Sequence, residues 1–233
     1  MTATPPLVTA KVAVVVPALD EERGIGACLA TLVPEADLVV VADAGSRDRT
    51  VHCAQAAGAQ VVVAERGRAV QMNAGAACAS GADVLVFVHA DTRMPAGWRA
   101  VVEEALADGR QWGRFDVRLD DEAPLLRLIA RMMNARSRLT GVCTGDQSIF
   151  VSSQAWTRCG GYAPMPLMED IELSKRLRRL AGPPACPRMR VLVSARRWRA
   201  RGVVRTVLLM WALRLMYVVG VPASTLHRFY YGR

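Results

Sequence analysis

The sequence predicts an α/β protein with a mostly parallel central sheet flanked by helices, and three observations carry that prediction. Short β-branched runs alternate with alanine-rich stretches of helical length, the pattern of βαβ units. Three of these runs end in clusters of polar and acidic residues, where open parallel sheets place their ligands. Finally, 233 residues that are 52% hydrophobic and 22% charged hold enough apolar material for a sizeable core, which excludes disordered, collagen-like and coiled-coil classes.

In chain order, strands are predicted over residues 11–16, 38–42, 60–63 and 84–88, with helices over 21–32, 49–57 and 68–79 between them. Four such strands make half of a nucleotide-binding α/β domain. A strand over 113–119, a helix over 124–137, a strand over 147–151 and a helix over 169–180 follow. Gly160-Gly161 and Pro164-x-Pro166 mark a loop before the last helix. Residues 203–221 are almost wholly apolar, and about 19 residues approaches the length that crosses a bilayer as a helix. Arg205 and Arg214 interrupt that run on opposite sides and leave no clean polar stripe. Three readings are open for it. It is a helix half-embedded in a membrane interface with Arg196, Arg197, Arg199 and Arg201 facing anionic lipid, or a core or oligomer-interface helix, or a true span. The expected division is a main domain over 1–195 and a basic, apolar helical tail over 196–233.

Charge is unevenly placed. Residues 173–233 carry 14 Lys or Arg and no Asp or Glu, whereas the first 172 residues carry 16 basic against 21 acidic side chains. That asymmetry points to an anionic partner for the last quarter: phosphates, a lipid surface or nucleic acid. The tail mixes its arginines with a long apolar run and has no nucleic-acid-binding motif, so a nucleic-acid partner is not expected. The six cysteines are widely spaced with no C-x-x-C pair, which argues for reduced thiols in a cytoplasmic protein. The amino terminus lacks a basic start, and its apolar run from Val12 stops at Pro17, too short for a signal peptide. The expected location is therefore cytoplasmic, with peripheral contact on the inner face of the cell membrane.

The residues after the strands carry the chemistry. The first strand ends in Pro17-Ala-Leu-Asp20-Glu21-Glu22, the second in Asp43-Ala-Gly45-Ser46-Arg-Asp48-Arg-Thr50, and the fourth in His89-Ala90-Asp91-Thr92. Any one acid there reads equally as a helix N-cap; three on one edge point to a site. A carboxylate at the end of a buried strand is costly unless paired or coordinated, so Asp91 is the expected metal ligand, for Mg²⁺ or Mn²⁺ facing a diphosphate. Arg68 opens a helix, where backbone N–H groups and guanidinium both face phosphate. Asp170, at the start of another helix, is either a general base for an acceptor hydroxyl or a first-turn acid favoured by the helix dipole. Cys143 and the three histidines form no nucleophile and base pair, so acyl transfer is not expected.

In order and spacing, Pro17-x-x-Asp20-Glu21-Glu22, Asp43-x-Gly45-Ser46-x-Asp48-x-Thr50, Gly67-Arg68-x-x-Gln71-x-Asn73, His89-x-Asp91 and Glu169-Asp170 resemble the family 2 glycosyltransferases of GT-A fold. His-Ala-Asp-Thr, Gly145-Asp146-Gln147 and Ser194-Ala-Arg-Arg-Trp198 look like a subgroup associated with arsenosugar biosynthesis or radical-SAM gene neighbourhoods. The resemblance implies an inverting, metal-assisted transferase that moves a sugar from a UDP- or GDP-sugar to an unknown acceptor hydroxyl, with Mn²⁺ or Mg²⁺ as cofactor. It implies that Pro17 and Glu21 line the nucleoside pocket, that Asp43 bonds the base, and that Arg68 approaches the diphosphate. Asp91 becomes the metal-binding acid of a D-x-D motif whose first acid is replaced by His89, a second candidate metal contact. Asp146, Arg197 and Trp198 join the nucleotide-sugar-binding set, and Asp170 is the catalytic base. Ser194 stands where the related Q-x-x-R-W signature has Gln, which argues against processive polymerisation. The rival enzyme class, a sugar-phosphate nucleotidyltransferase, calls for a glycine-rich loop after the first strand, and Pro17-Ala-Leu-Asp20 is not one.

Overall fold

The computed structural model of the chain describes residues 10–232; most of the segment read above as lacking a leader, residues 1–9, lies outside the described residues, as does Arg233. The first half folds as β1 (Val12–Ala18), α1 (Glu22–Leu32), β2 (Leu38–Asp43), α2 (Thr50–Ala56), β3 (Gln60–Val63), α3 (Arg68–Cys78), β4 (Val84–Phe87), β5 (Thr92–Arg93) and α4 (Trp98–Ala107). The second half adds β6 (Trp112–Arg114), β7 (Asp116–Leu119), α5 (Pro124–Thr140), β8 (Ile149–Ser152), α6 (Ser153–Cys159), α7 (Glu169–Ala181), β9 (Arg190–Val193), α8 (Arg196–Arg201), α9 (Val203–Val218) and α10 (Ala223–Tyr231).

Six strands form one sheet in the order β3-β2-β1-β4-β8-β6, parallel from β3 to β4 and antiparallel at β8 and β6. Every residue of β1 is buried, as expected of a strand covered on both faces. Val12, Val14 and Val16 pack with Ile25, Leu29, Trp98 and Phe115 on one face, while Ala13 and Val15 pack with Met72, Phe87, Ile149 and Leu173 on the other. Helix α3 lies so close to the sheet that a Cβ on Gly75 would sit 2.4 Å from Val15 Cγ1, so only glycine fits there. Because β2 and β4 flank β1 on opposite sides, the chain reverses direction across the sheet at β1, and the crevice at that reversal is where open α/β sheets bind ligands.

A second, three-stranded sheet, β5-β9-β7, stitches the chain after β4 to the chain before α8. It explains the main departure from the predicted elements. The strand expected over 113–119 is two strands, since Phe115 turns the chain from β8 as partner to β9 as partner. Likewise, the strand expected from residue 147 begins at Ile149, because Gly145–Gln147 forms a 3-10 turn capped reciprocally by Thr144 and Gln147. Helix α5 runs three residues longer than expected, to Gly141 in the left-handed region that ends helices. Its inner side is held by polar locks: Asn134 exchanges two hydrogen bonds with the backbone of Val117, and the fully buried Arg114 pairs with Asp116, which also binds Arg138 at 2.6 Å.

The apolar run 203–221 becomes α9, which ends at Val218. No helix among the described residues is long and apolar enough to cross a membrane, which removes the spanning reading. One side of α9 packs inward, with Leu213 buried among Leu167, Met168, Ile171, Leu226 and Tyr230. The other side exposes Val204, Leu208, Trp211, Leu215 and Val218.

Candidate active site

The loops after β1 and β2 are laced together by their own polar residues. Asp43 Oδ2 accepts the N–H groups of Gly45 and Ser46, both at 2.9 Å, and Ser46 Oγ in turn accepts from the Asp20 N–H at 2.9 Å. The Arg47 N–H donates to Asp20 Oδ1 at 2.8 Å, the Glu21 N–H to Thr50 Oγ1 at 2.7 Å, and the Glu22 N–H to Asp48 Oδ2 at 3.0 Å. The recurrent polar residues of both motifs therefore build the rim of the crevice before any of them meets a ligand. Buried Asp43 and Pro17 sit at adjacent strand ends, paired as Pro17 with Ala42 and Ala18 with Asp43.

Across the crevice, β4 delivers His89 and Asp91. His89 Nδ1 lies 3.3 Å from Asp146 Oδ1. This approach is permitted by Gly145, where an added Cβ would come within 2.5 Å of His89 Nε2. The Gly145 N–H also donates to Asp170 Oδ2 at 2.9 Å, while Asp170 Oδ1 accepts from the Ile171 N–H at 2.7 Å. One turn thus joins the end of β4 to the start of α7. Beside it, Arg68 Nε lies 3.3 Å from Glu169 Oε1, a carboxylate that is almost fully buried.

Asp91 apart, these groups line one cavity of about 640 Å³, within the size range of small-molecule sites. Its polar end holds Arg68, His89, Asp146, Glu169, Asp170 and Arg197, with Trp198 on the wall. Burial opposes the charge on Asp146, but His89 beside it, with Arg197 and Arg68, holds its carboxyl well below the usual range. Burial likewise opposes the Arg68 cation; Glu169, with Asp170 and Asp146 behind it, outweighs that and keeps it above the ordinary range. Burial pushes Glu169 up against the pull of Arg68.

Of the ten residues expected at the site, six line the cavity, Arg68, His89, Asp146, Asp170, Arg197 and Trp198, while Asp91 follows two residues after His89 outside the lining. Pro17 and Asp43 sit at the neighbouring strand ends, and Glu21 follows β1. Glu21 and Asp91 are bridged by a residue the sequence reading placed elsewhere: Arg196 pairs with Glu21 and lies 3.4 Å from Asp91 Oδ2. The expectation that Arg196, Arg197, Arg199 and Arg201 face lipid is corrected by the structure. Arg197 donates to the Tyr230 hydroxyl at 3.1 Å, Arg199 pairs with Asp121 at 2.8 Å, and Arg201 stacks over the Tyr230 ring. Arginine beside an unmet acid gains more from a charge-assisted bond than from water, and acids lie within reach of α8. Gly145 and Glu169 are further residues of the site to which the sequence reading assigned no role of their own.

No three His, Cys, Asp or Glu side chains among the described residues gather into an all-protein metal cage. The donor chemistry still fits a hard divalent cation that takes one or two carboxylates and completes its shell with phosphate and water. Asp91 offers one carboxylate, and beside it Glu21 Oε2 is buried without a hydrogen-bond partner. The guanidinium of Arg196 shows that a cation is held between these two acids.

Residues 13–162 match the family described as glycosyl transferase family 2. The structure is similar to that of glucosyl-3-phosphoglycerate synthase from Mycobacterium tuberculosis in complex with Mn²⁺, UDP and glucosyl-3-phosphoglycerate. That similarity has 22% sequence identity and a TM-score of 0.63, over 91% of this chain and 81% of that one. The same synthase with Mn²⁺ and UDP-glucose aligns at 25% identity and a TM-score of 0.57, over 79% and 70% of the two chains. A mycobacterial protein aligns at 24% identity and a TM-score of 0.56 over 79% of this chain, which spans 65% of that protein's length. No curated protein matches the sequence.

Proposed function

The chain belongs to glycosyl transferase family 2, and on that premise we propose that it moves a sugar from a nucleoside diphosphate donor to an acceptor hydroxyl, with inversion at the anomeric carbon. The observation that carries the reading is the single cavity in which Asp170 faces the end of β4 together with Arg68 and Arg197. The uridine nucleotides and Mn²⁺ or Mg²⁺ bound by the synthase neighbours favour a UDP-sugar donor and the same cations here. Motifs at His89–Thr92 and Ser194–Trp198 support a place in the arsenosugar or radical-SAM-associated subgroup.

In this reading Asp170 takes the acceptor proton. Each of its oxygens already accepts one backbone N–H, which aims the carboxylate and leaves lone pairs for the hydroxyl. The acceptor oxygen forms a bond to the anomeric carbon while the bond from that carbon to the diphosphate oxygen breaks, and the electron pair leaves with the nucleoside diphosphate. Arg68 and Arg197 present positive charge to that leaving group. Pro17, Glu21 and Asp43 bind the nucleoside, and Asp146 orients His89. Asp91 and His89, with Glu21 beside them, are the residues that would hold the divalent ion, which when bound supplies further positive charge against the diphosphate. Residues 1–195 form the catalytic body. The tail over 196–233 is proposed to offer the exposed side of α9 to a cytoplasmic membrane face.

The test separates base from donor site. Asp170→Asn is expected to slow turnover of UDP-sugar, to acceptor or to water, by at least about 10²-fold, with affinity for the donor changed no more than a few-fold. Asp91→Asn is expected to abolish the Mn²⁺-dependence of UDP binding measured by calorimetry. A folded Asp170→Asn protein that loses donor affinity, or a wild-type protein whose UDP affinity ignores Mn²⁺, refutes the assignment.

A further inference from the structure

Past Asp170 the cavity continues between α5 and α9, and two arginines there are used by nothing described above. Arg136 and Arg214 both line it. Nε and Nη2 of Arg136 are buried and meet no hydrogen-bond partner. Other buried or half-buried arginines of this chain are paired: Arg114 with Asp116, Arg68 with Glu169, Arg99 with Asp37 and Glu103, Arg176 with Glu172. These two are not paired among the described residues. Burial pushes the Arg136 guanidinium down to about 10, with Arg214 adding to the push, and burial lowers Arg214 as well. Asp170 acts on both, but at no salt-bridge contact. Two partly buried arginines that line the same cavity without an acid partner, and are near enough for Arg214 to act on Arg136, offer charge-assisted donors to an anionic group.

The walls beyond this pair are apolar. Met132 and Met133 come from α5, and Met210, Trp211, Leu215 and Val218 from α9. Met132 is 48% exposed, Trp211 62% and Leu215 65%, so the groove opens directly onto the surface. Methionines adapt to a flexible chain more readily than branched side chains do. The cavity therefore runs from acid and cation at one end, through an unmatched pair of arginines, to a greasy open groove.

We propose that the acceptor of this site is an anionic amphiphile, with its charged head between Arg136 and Arg214, its hydroxyl turned to Asp170, and its alkyl chain along the groove between α5 and α9. The proposal rests on the transferase reading for the word acceptor. It rests on charge complementarity and the apolar walls for the class of molecule.

The test uses the full chain and three probes: decyl phosphate below its micellar concentration, inorganic phosphate, and uncharged decyl maltoside. Binding is followed through the change in tryptophan fluorescence, to which Trp198 and Trp211 contribute from the cavity wall, and UDP with Mn²⁺ is titrated on the same samples. Decyl phosphate is expected to bind at least about tenfold more tightly than either other probe, since only it satisfies both ends. Arg136→Gln with Arg214→Gln is expected to weaken decyl phosphate by at least about tenfold and to leave decyl maltoside unchanged. Leu215→Glu, at an exposed position the fold tolerates, is expected to weaken decyl phosphate but not inorganic phosphate. Equal binding of decyl phosphate and inorganic phosphate overturns the proposal, as does equal binding of decyl phosphate and decyl maltoside. Selective decyl phosphate binding without Mn²⁺-dependent UDP binding instead sinks the transferase reading and leaves an amphiphile site that is not an acceptor site.

Discussion

Gly145 is the hinge on which the candidate site turns, and replacing it with alanine tests that claim quantitatively. Its φ is not in the positive region, so the backbone itself accepts alanine, and any cost is steric. The added Cβ would lie 2.5 Å from His89 Nε2 and 2.7 Å from Cε1, whereas ordinary contact begins near 3.4 Å, so the ring must retreat by roughly 0.9 Å or the turn must move. Overpacking of this kind costs about 1–3 kcal/mol. For a chain of this size that lowers Tm by about 2–12 °C. Thermal unfolding of wild type, Gly145→Ala, His89→Ala and the double variant forms a cycle. With the imidazole gone, the second methyl has room, so Gly145→Ala is expected to cost close to nothing in the His89→Ala background, giving a coupling of about 1–3 kcal/mol. The same turn donates to Asp170, and a displacement near 1 Å is expected to slow donor turnover by about 10²-fold. An equal Tm loss in both backgrounds refutes the reasoning, because the ring would then not be what the methyl meets.

Asp146 carries a pH signature. Its folded carboxyl titrates below its unfolded value, so its contribution is present above about pH 4 and is lost as pH falls further. Asp146→Asn is therefore expected to lower Tm at pH 7 and to converge with wild type toward pH 2.5; parallel Tm curves over that range contradict it. Leu226 is fully buried against Leu213 and α7, and Leu226→Ala is expected to cost about 2–5 kcal/mol in urea unfolding. Deleting residues 203–233 is expected to give an aggregating chain by light scattering, since Leu167, Met168 and Ile171 lose their cover; a monomeric truncated chain with unchanged Tm shows instead that α9 and α10 are not core.

Local pattern was enough where burial is set by neighbours in sequence. The β-branched runs of β1 and Gln60–Val63 were legible from their composition and the turn residues that bound them, and the helix opened by Arg68 from its apolar residues at helical spacing. The acids at the strand ends were legible as a group, yet their first task was not. Asp20, Ser46, Asp48 and Thr50 hold two loops to each other, and no spacing within one loop reveals its partner in the other. The break at Phe115 was hidden for the same reason, since a change of strand partner leaves the β-branched pattern intact. Arg196 was misread because a run of arginines ahead of an apolar helix has the same local signature whether it meets lipid or acid. Arg136 gave no signal at all: on an amphipathic helix it reads as a solvated residue.

Strand β9 also governs how the protein is made. It seats Ser194 against the Asp91 backbone and so brings Arg196 to Glu21, 175 residues upstream. At ribosomal rates of about 5–20 residues per second, roughly 9–35 s pass between synthesis of Glu21 and of its cation. In the later part of that interval, once Asp91 has also been made, the nascent chain has the parallel strands in hand but two carboxylates without the counter-charge of Arg196. Closing so long a loop is slow compared with forming the early βαβ units. The crevice is therefore expected to be the last region to mature, and nascent chains halted before residue 190 to be the species that chaperones hold.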